Sequence, residues 1–293
     1  MNEIRPLVSV IIPSYNHSAF INQCIESVCN QNYPNFEVIV IDDGSTDNSR
    51  EILGVLHHKY KFQLIYQENI GLSRTLNRGI EEFARGKYFT FCASDDYWLQ
   101  GKLAKQIQFL EENPDIPMVF GKSKIIDFKG SFLKEQTKLL NNGLKGGKIF
   151  KEIILQEFHP PVNYMYRSVI FKEIGLFDED AWAEDFDMNL RIAIKYPIGF
   201  IDDFLACYRR GENSNSTTRP YRIINSHKYS IDKFRRTEYY TEAILRWHYR
   251  NFLWYACRKK SKLFAIKSMF LSIRFITDEI FVKGIRDLLL RWY

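Results

Sequence analysis

The chain has 293 residues, enough for one large domain with a sizeable buried core, or for one domain and an appendage. Hydrophobic residues make up 45% of the chain and charged residues 26%, a composition that excludes an intrinsically disordered protein. The net charge of +6 is uneven, because residues 235–293 hold 13 Lys or Arg against 5 Asp or Glu, which leaves residues 1–234 at −2. No nucleic-acid-binding motif accompanies the basic end, so we expect no nucleic-acid partner.

Cysteine usage and the length of apolar runs bear on the compartment. The cysteines are scattered without a CxxC pair, which favours buried thiols in a reducing compartment: Cys24, Cys29, Cys92, Cys207 and Cys257. The apolar run before Pro13 is too short for a signal peptide, and no run reaches the roughly 18 residues of a membrane-spanning helix. We therefore expect a cytoplasmic protein.

The first part of the chain alternates between short apolar runs, typical of strands, and segments with helical spacing. The strands are predicted at residues 7–12, 36–41, 62–66 and 87–92. Helices are predicted between them, the second with Thr46 or Asp47 as its cap and the third after Gly71. This β-α-β-α-β-α-β order implies right-handed crossovers and a mainly parallel sheet. It predicts half of a doubly wound nucleotide-binding domain, with the ligand at the carboxyl ends of the strands.

After about residue 116 this alternation breaks down. Strand-like pieces at 118–120, 124–128 and 164–171 alternate with short helices, which predicts a mixed-sheet half that holds the acceptor. Residues 130–147 are rich in Gly, Asn and Lys and predict a mobile loop, and the chain reads as helical and basic from Arg235 onward. We predict a catalytic domain over residues 1–215 and a basic amphipathic helical region over residues 220–293.

Acidic pairs follow two of the predicted strands. Asp42-Asp43 follows the second strand and Asp95-Asp96 follows the fourth, so in a parallel sheet both pairs open on the same edge. Mg²⁺ and Mn²⁺ prefer hard oxygen ligands, usually one or two carboxylates together with phosphate oxygens. The pattern favours a nucleotide diphosphate that binds with a divalent cation.

Three strings in chain order resemble the serial motifs of family 2 glycosyltransferases, a large inverting family with the GT-A fold. They are Pro13-Ser14-Tyr15-Asn16, Ile41-Asp42-Asp43-Gly44-Ser45-Thr46-Asp47 and Ser94-Asp95-Asp96, and the resemblance covers about residues 6–210. It implies an α/β fold of the GT-A type, which is a Rossmann-like nucleotide-diphospho-sugar transferase domain with a mixed central sheet. The C-terminal helical appendage lies outside it.

The resemblance also implies roles for residues of the first two motifs. Pro13 and Tyr15 match positions that line the pocket of the nucleotide base. Asp43 matches the carboxylate that pairs with the N–H of the base ring, and Asp42 stands beside it.

On the ribose and phosphate side, Asp95 matches the aspartate that contacts the ribose, and Asp96 matches the one that ligates Mn²⁺ or Mg²⁺. Arg74 is the candidate for the basic group that faces the diphosphate. Many members carry a histidine after a Tyr-Arg pair near the end of the catalytic domain, where this chain has Gly211. The resemblance therefore identifies no metal ligand beyond Asp96. Arg209 or Arg210 is the candidate to neutralise the phosphate charge in place of the histidine.

The catalytic base is expected from the acceptor half. Glu184-Asp185 resembles the family's Glu-Asp element at the start of a helix, and Asp185 matches the base with Glu184 as its neighbour. Inversion needs a carboxylate opposite the leaving diphosphate to accept the proton of the incoming hydroxyl. Trp182 is placed to stack on a sugar of the acceptor, whereas His159, beside Pro160-Pro161, is interpreted as a loop residue without a catalytic role.

Each of these assignments has a structural alternative. The first two acidic pairs can serve as turn residues or helix caps, and Glu184-Asp185 can serve as the favourable first turn of a helix. Arg74 can be a solvated helix residue, and Trp182 can be a packing residue.

The basic end favours contact with an anionic membrane. Lys260, Lys267 and Arg274 are spaced seven apart and form one stripe if the segment is helical, with apolar residues on both flanks. The alternative is a helix pair that packs on the catalytic domain or across a homo-oligomer, with its basic side chains in water.

The resemblance and the basic end together predict a metal-dependent inverting glycosyltransferase. We expect it to move a sugar from a nucleotide-diphosphate donor, a UDP-sugar, to a lipid-linked saccharide acceptor at the inner face of the cell membrane. Bacterial surface-polysaccharide assembly (O-antigen, capsule or lipooligosaccharide) is the expected setting. Two rivals stay open: a sugar nucleotidyltransferase, which would carry a Gly-rich loop where this chain has Pro13-Ser14-Tyr15-Asn16, and a non-catalytic module that binds nucleotide sugars.

Overall fold

The computed structural model describes residues 5–210, 220–256 and 262–290. In these ranges the strands are β1 Val8–Ser14, β2 Phe36–Asp43, β3 Gln63–Gln67, β4 Tyr88–Phe91, β5 Tyr97–Trp98, β6 Met118–Ile126, β7 Met165–Arg167 and β8 Gly199–Arg209. The helices of the first 210 residues are α1 Ile21–Cys29, α2 Ser49–Tyr60, α3 Leu72–Arg78 (continued by a π turn, Gly79–Phe83), α4 Lys102–Glu112, α5 Lys134–Leu140, α6 Phe150–Ile154, α7 Ile170–Ile174 and α8 Glu184–Ala193. The C-terminal helices are α9 Pro220–Asp232, α10 Tyr240–Tyr255, α11 Lys262–Leu271, a 3₁₀ turn Ile273–Phe275 and α12 Glu279–Leu290.

The strands form one mixed sheet in the order β3-β2-β1-β4-β7-β6-β8-β5. Strands β1 to β4 run parallel, whereas β7 runs antiparallel to both of its neighbours, β4 and β6. Strand β8 is parallel to β6, and the short β5 is antiparallel to β8. The predicted α/β fold with a mixed central sheet, followed by C-terminal helices, is confirmed.

Apolar side chains cover both faces of the sheet. Along β1, Ile11 packs into one cluster, whereas Val10 and Ile12 pack into the cluster on the opposite face. Because a strand with both faces buried has no polar side, β1 and β2 read as continuous apolar runs in the sequence. Burial of both faces fixes the register of the sheet and hence the place where each strand ends.

Two predictions for the acceptor half are wrong. Residues 130–147 are not a structureless loop, because they contain α5, which is bound to β6: Thr137 Oγ1 accepts the N–H of Ile125 at 2.8 Å. The strand predicted at residues 164–171 is confined to β7, and the chain then turns into α7 so that Ile170 and Phe171 reach the core. In both places long-range contacts outweigh local composition.

The C-terminal helices divide into two packing groups. Ile231 of α9 and Ala243 of α10 are fully buried in the same cluster as Phe186 of α8. A separate small cluster joins the end of α10 to α12, with Phe252 and Phe281 at its centre. The boundary predicted between residues 215 and 220 stays a prediction, but α9 and the start of α10 pack as part of the sheet domain.

The predicted basic stripe is divided among different elements. Lys267 lies on α11 and Arg274 lies in the 3₁₀ turn, where it pairs with Glu242 of α10, and Lys260 lies outside the described residues. No helix in the described ranges is both long enough and apolar enough to cross a membrane.

Candidate active site

The three sequence motifs meet at one edge of the sheet, because the parallel strands β2, β1 and β4 are neighbours. The Asn16 N–H donates to Ser45 Oγ at 3.0 Å, and Asn16 Oδ1 accepts the N–H of Thr46 at 2.7 Å. His17 Nδ1 lies 2.7 Å from Ser94 Oγ. These hydrogen bonds join the segments after the three strands into one surface.

The predicted base-pocket residues lie at the end of β1. Pro13 is half-buried within the strand, and Tyr15 follows the strand with 46% of its surface exposed. Asn16 then adopts a left-handed conformation with φ of 54°, which asparagine tolerates better than most residues. The Tyr15 side chain is therefore accessible at the end of β1.

Asp43 organises the loop that follows β3. Its Oδ1 accepts the N–H of Ile70 at 2.8 Å and the side-chain amide of Gln67 at 2.8 Å. Its Oδ2 accepts the N–H of Gly71 at 3.0 Å. A carboxylate offers about four lone-pair sites, so these three bonds leave room for one more donor.

Asp42 is fully buried beside Asp43. Its Oδ1 lies 2.6 Å from Arg50 Nε and accepts the N–H of Ser45 at 3.1 Å. Its Oδ2 is buried without a hydrogen-bond partner in the described part of the chain. Buried polar atoms are nearly always paired with protein or water, so we expect an internal water to donate to this oxygen.

Asp96 is the more buried member of the second acidic pair. Its Oδ1 accepts the N–H of Arg209 at 2.7 Å. Burial, and then the negative charge of Asp95, raise the pKa of Asp96 well above its ordinary value. The Asp95 side chain is 27% exposed, and its Oδ2 lies 3.9 Å from His17 Nε2. The backbone N–H and the charge of Arg209 offset this rise in the Asp96 pKa only in part.

The chemistry of this pair fits a divalent cation that shares its ligands with a bound phosphate. In the described residues, no cluster of three His, Cys, Asp or Glu side chains is present that could hold a metal ion unaided. Asp96 uses Oδ1 to bind the protein backbone, and no hydrogen bond from the described residues reaches Oδ2. One or two carboxylates, with the other ligands from water and phosphate, are the usual set for Mg²⁺.

The arginines near the acidic pair have different surroundings. The Arg209 guanidinium is buried, donating to the carbonyl oxygens of Asp95 and Asp127 and to Gln23 Oε1. The Arg209 guanidinium therefore holds the Asp95-Asp96 turn in place and is not directed at a phosphate. Arg210 is exposed, and Gly211, which aligns with the family's histidine, lies outside the described residues.

Arg74, the predicted diphosphate contact, links the donor and acceptor halves. Its Nε lies 2.8 Å from Glu179 Oε2, in the segment that precedes α8. Both side chains are about half exposed, at 59% and 46%, so this ion pair contributes little to stability. Nearby, Asn77 binds the backbone of Phe177 through both its amide nitrogen and its oxygen.

Glu184 and Asp185 open α8 in the acceptor half, as the sequence predicts. Asp185 Oδ1 accepts the N–H of Phe186 at 2.8 Å, and Oδ2 lies 2.8 Å from His159 Nε2. Burial alone would raise the pKa of Asp185, but the charge and hydrogen bond of His159 hold it below its ordinary value. Burial and the Asp185 charge raise the pKa of the adjacent Glu184 to about 8. The two neighbours are thus held in opposite protonation states near neutral pH.

Sequence reasoning missed two histidines at this position. His159 was interpreted as an ordinary loop residue, but it contacts Asp185 directly. The His227 ring of α9 lies 4.3 Å from the Phe186 ring, and burial lowers the His227 pKa to about 3. The sequence signal for His159 was the stiff Pro160-Pro161 pair that follows it, whereas nothing local marks His227.

Trp182, the predicted acceptor platform, is 39% exposed just before α8. The Arg222 guanidinium of α9 lies 4.7 Å from the centre of its ring. The sequence did not suggest that α9 would come so close to the candidate base.

Comparison with known proteins confirms the resemblance to family 2 glycosyltransferases. The family model for glycosyl transferase family 2 matches residues 9–175, more than half of the chain. An uncharacterised glycosyltransferase of Rickettsia bellii is 34% identical over 236 residues, a match that covers 79% of this chain and 32% of that protein. The chain therefore spans about a third of the length of this relative.

Two solved structures share the fold. TarS 1-349 of S. aureus in complex with UDP-GlcNAc has a TM-score of 0.67 at 17% identity, with coverage of 96% of this chain and 88% of that one. The mannosyltransferase PcManGT of Pyrobaculum calidifontis, in complex with GDP-Man and Mn²⁺, has a TM-score of 0.64 at 16% identity, with coverage of 94% and 76%. At such identities the likeness shows the fold alone. With the family match, it establishes that this chain belongs to glycosyl transferase family 2 and has the GT-A fold.

Proposed function

We propose that the protein is a metal-dependent inverting glycosyltransferase that moves a sugar from a nucleotide-diphosphate donor, a UDP-sugar, to a saccharide acceptor. The observation that carries this proposal is the presence of two carboxylate sites in one fold. One is the donor edge, the sheet edge where the three motifs meet. The other is Glu184-Asp185 in the acceptor half, where the pKa of Glu184 is raised and that of Asp185 is lowered. Tyr164 connects the two, because its hydroxyl accepts a hydrogen bond from Asn189 of α8 and its carbonyl accepts one from Thr90 of β4.

On the donor side, Pro13 and Tyr15 line the pocket of the base, and Asp43 accepts the N–H of the base ring, with Asp42 beside it. The remaining lone-pair site of Asp43 supports this assignment. Asp95, at the end of the next strand, contacts the ribose.

On the phosphate side, Asp96 would hold Mn²⁺ or Mg²⁺, which when bound offsets the charge that builds on the departing diphosphate. Arg74 turns from Glu179 to the diphosphate, which its weak, exposed ion pair permits. Bound Mn²⁺ and GDP-Man in the structural relative PcManGT support this arrangement.

On the acceptor side, Asp185 accepts the proton of the attacking hydroxyl. The hydroxyl oxygen bonds to the anomeric carbon while the bond from that carbon to the diphosphate oxygen breaks on the opposite face, which inverts the centre. A lowered pKa keeps Asp185 ionised near neutral pH, whereas Glu184 stays protonated and can donate a hydrogen bond to the sugar. Neighbouring acids with separated pKa values are typical of this division of roles.

A donor screen tests this proposal. Purified protein is incubated with UDP- and GDP-sugars in the presence of Mn²⁺, Mg²⁺ or EDTA, and release of the nucleoside diphosphate is measured. We expect release with one donor, its loss with EDTA, and a fall of about a hundredfold or more in Asp96→Asn. Asp115→Asn, an exposed aspartate beyond α4, is the matched control and keeps the wild-type rate. Full activity in Asp96→Asn, or no release from any donor, contradicts the proposal.

We further propose that the acceptor is a lipid-linked saccharide of bacterial surface-polysaccharide assembly, reached at the inner face of the membrane. The C-terminal helices support this, since Leu263, Phe270 and Leu289 are 84%, 64% and 66% exposed. Lys267 and Lys283 are exposed on the same two helices. Apolar side chains among basic ones suit an anionic lipid surface.

Flotation with phosphatidylglycerol vesicles tests membrane contact in the full-length chain. We expect the wild type to float with these vesicles, and Leu263→Glu combined with Phe270→Glu to remain in the soluble fraction. Val55→Glu on α2 is the matched control. Val55 is also an exposed apolar residue, at 67%, but it is distant in sequence from the C-terminal helices. Equal flotation of all variants, or none by the wild type, argues against this proposal.

A further inference from the structure

A surface groove of about 320 Å³ lies between α9 and the segment that leads into α8. Asp180 and Trp182 come from that segment, whereas Tyr221, Asn225 and Tyr229 recur at four-residue spacing and so share one face of α9. The three aromatic residues are 39–47% exposed. An open groove that presents three aromatic rings is an unusual surface feature and indicates a binding site.

The rings of this groove are held in place by specific contacts. The Arg222 guanidinium lies over the Trp182 ring, and its Nε donates to the Tyr221 hydroxyl at 3.2 Å. The Tyr229 hydroxyl donates to Asp178 Oδ2 at 3.1 Å. Held rings lose little conformational entropy when a ligand binds, which favours affinity.

The groove also lies next to the candidate base. Ser226, on its floor, accepts the N–H of Ala183 through Oγ at 2.9 Å, and Ala183 directly precedes Glu184-Asp185. A ligand in the groove is therefore held by the same short segment that positions Asp185. The nucleotide edge, by contrast, is built from β1, β2 and β4.

The lining has the mixed chemistry of a carbohydrate site. A pyranose ring has an apolar face of C–H groups, which stacks on an aromatic ring, and a polar rim of hydroxyls, which needs donors and acceptors. Asp180, Arg222 and Asn225 supply those polar groups beside the rings. The volume is at the low end for ligand pockets, which suits one or two sugar units but not a whole nucleotide sugar.

We propose that this groove binds the acceptor saccharide, holding the sugar unit next to the one that carries the attacking hydroxyl. This rests on the proposed transferase function, because Asp185 defines which hydroxyl reacts. The α9 face would then set acceptor specificity, separately from the donor motifs.

Saturation-transfer NMR on the full-length protein tests the groove without nucleotide or metal. The probes are chitobiose, cellobiose, lactose and a rhamnose disaccharide. We expect saturation transfer to the ring protons of at least one probe, reduced about fivefold or more in Tyr221→Ala and retained in Tyr221→Phe, which keeps the ring. Phe132→Ala is the matched control, because Phe132 is also an exposed aromatic residue, at 52%, and does not line the groove. No transfer to any probe, or equal transfer in Tyr221→Ala, overturns the proposal.

Thermal stabilisation by UDP and GDP, measured on the same variants, separates the two proposals. Tyr221→Ala is expected to keep wild-type nucleotide binding. Nucleotide binding without saccharide contact means that the groove assignment is wrong while the donor site stands. Saccharide contact without nucleotide binding or donor turnover removes the transferase proposal and leaves a saccharide-binding groove.

Discussion

The donor edge and the acceptor half hold their carboxylates in different ways. Asp43 is bound by the N–H groups of Ile70 and Gly71, and Asp96 by the N–H of Arg209. Asp185, in contrast, is bound on one oxygen by the side chain of His159. Backbone N–H donors fix the position of a carboxylate without adding a full charge. A histidine partner can also carry a positive charge, which favours the ionised form of the carboxylate.

This difference appears in the protonation of the two sites. The pKa of Asp96 is raised by burial and by Asp95, whereas the pKa of Asp185 is lowered by His159. Burial and the Asp95 charge thus disfavour the ionised form of Asp96, whereas Asp185 is held ionised and ready to accept a proton. A cation bound as proposed above would favour the ionised form of Asp96, whereas Asp185 is held ionised by its protein partners.

The contrast between the donor edge and the acceptor half depends most on the role of Asp185 as the proton acceptor. Asp185→Asn keeps the shape but removes the base, so kcat is expected to fall about a thousandfold, within the usual range for loss of general-base catalysis. Nucleotide binding, followed by thermal shift with UDP or GDP, should be unchanged because it belongs to the other edge. A variant that keeps a rate within a few-fold of wild type would place the base elsewhere.

A second test concerns how the donor edge is held. Arg209→Met keeps an apolar stem but removes a buried guanidinium that binds the carbonyl oxygens of Asp95 and Asp127. Leaving these partners without donors is expected to lower the free energy of unfolding by about 3 kcal/mol, measured by urea denaturation. Arg210→Met, the exposed neighbour, should change it by less than about 0.5 kcal/mol. Equal effects of the two variants on the free energy of unfolding would mean that Arg209 does not anchor the Asp95-Asp96 turn.

The sequence predicted the donor half well for a physical reason. The apolar runs of β1 and β2 end where the motifs begin, so short local patterns place Asp43 and Asp96 at one edge. The partners of these two carboxylates are mostly backbone groups, which any sequence provides once the chain follows that path. The geometry brings the predicted donor residues together, while the role of each stays a prediction.

The acceptor half could not be predicted in the same way. His159 meets Asp185 across 26 positions, and α9 reaches Trp182 through Arg222, which lies 40 positions away. Helix α5 forms in a Gly- and Asn-rich stretch because Thr137 and Asn141 bind β6. Such contacts depend on tertiary packing, which periodicity and motif spacing do not encode.

Stability at alkaline pH tests the other member of the acceptor pair. With a folded pKa of about 8 against an unfolded value near 4.5, Glu184 gives the folded protein an extra proton between these values, so its contribution to stability falls as pH rises. Glu184→Gln stays neutral, so it is expected to match the stability of the wild type near pH 5. At pH 8.5 it is expected to exceed the wild type by about 2 kcal/mol, because solvent partly screens the charge of this half-buried side chain. Glu68→Gln, at an exposed site, should show no such pH-dependent difference. A stability difference that is the same at both pH values would argue against a buried, protonated Glu184.

The smallest expected effect tests how His159 acts on Asp185. Removing its charge and hydrogen bond in His159→Phe leaves burial to raise the pKa of Asp185, so the acid limb of the rate–pH profile should move to higher pH. The rate is expected to fall about tenfold at pH 5.5 and to approach the wild-type value at pH 8, because the base is then ionised again. His159→Gln can still donate a neutral hydrogen bond and should lie between the two, and His58→Phe, on the exposed surface of α2, should leave the profile unchanged. A uniform loss of rate at every pH in His159→Phe would instead mean that His159 only shapes the loop. The protonation state of Asp185 would then depend on its contacts within α8 alone.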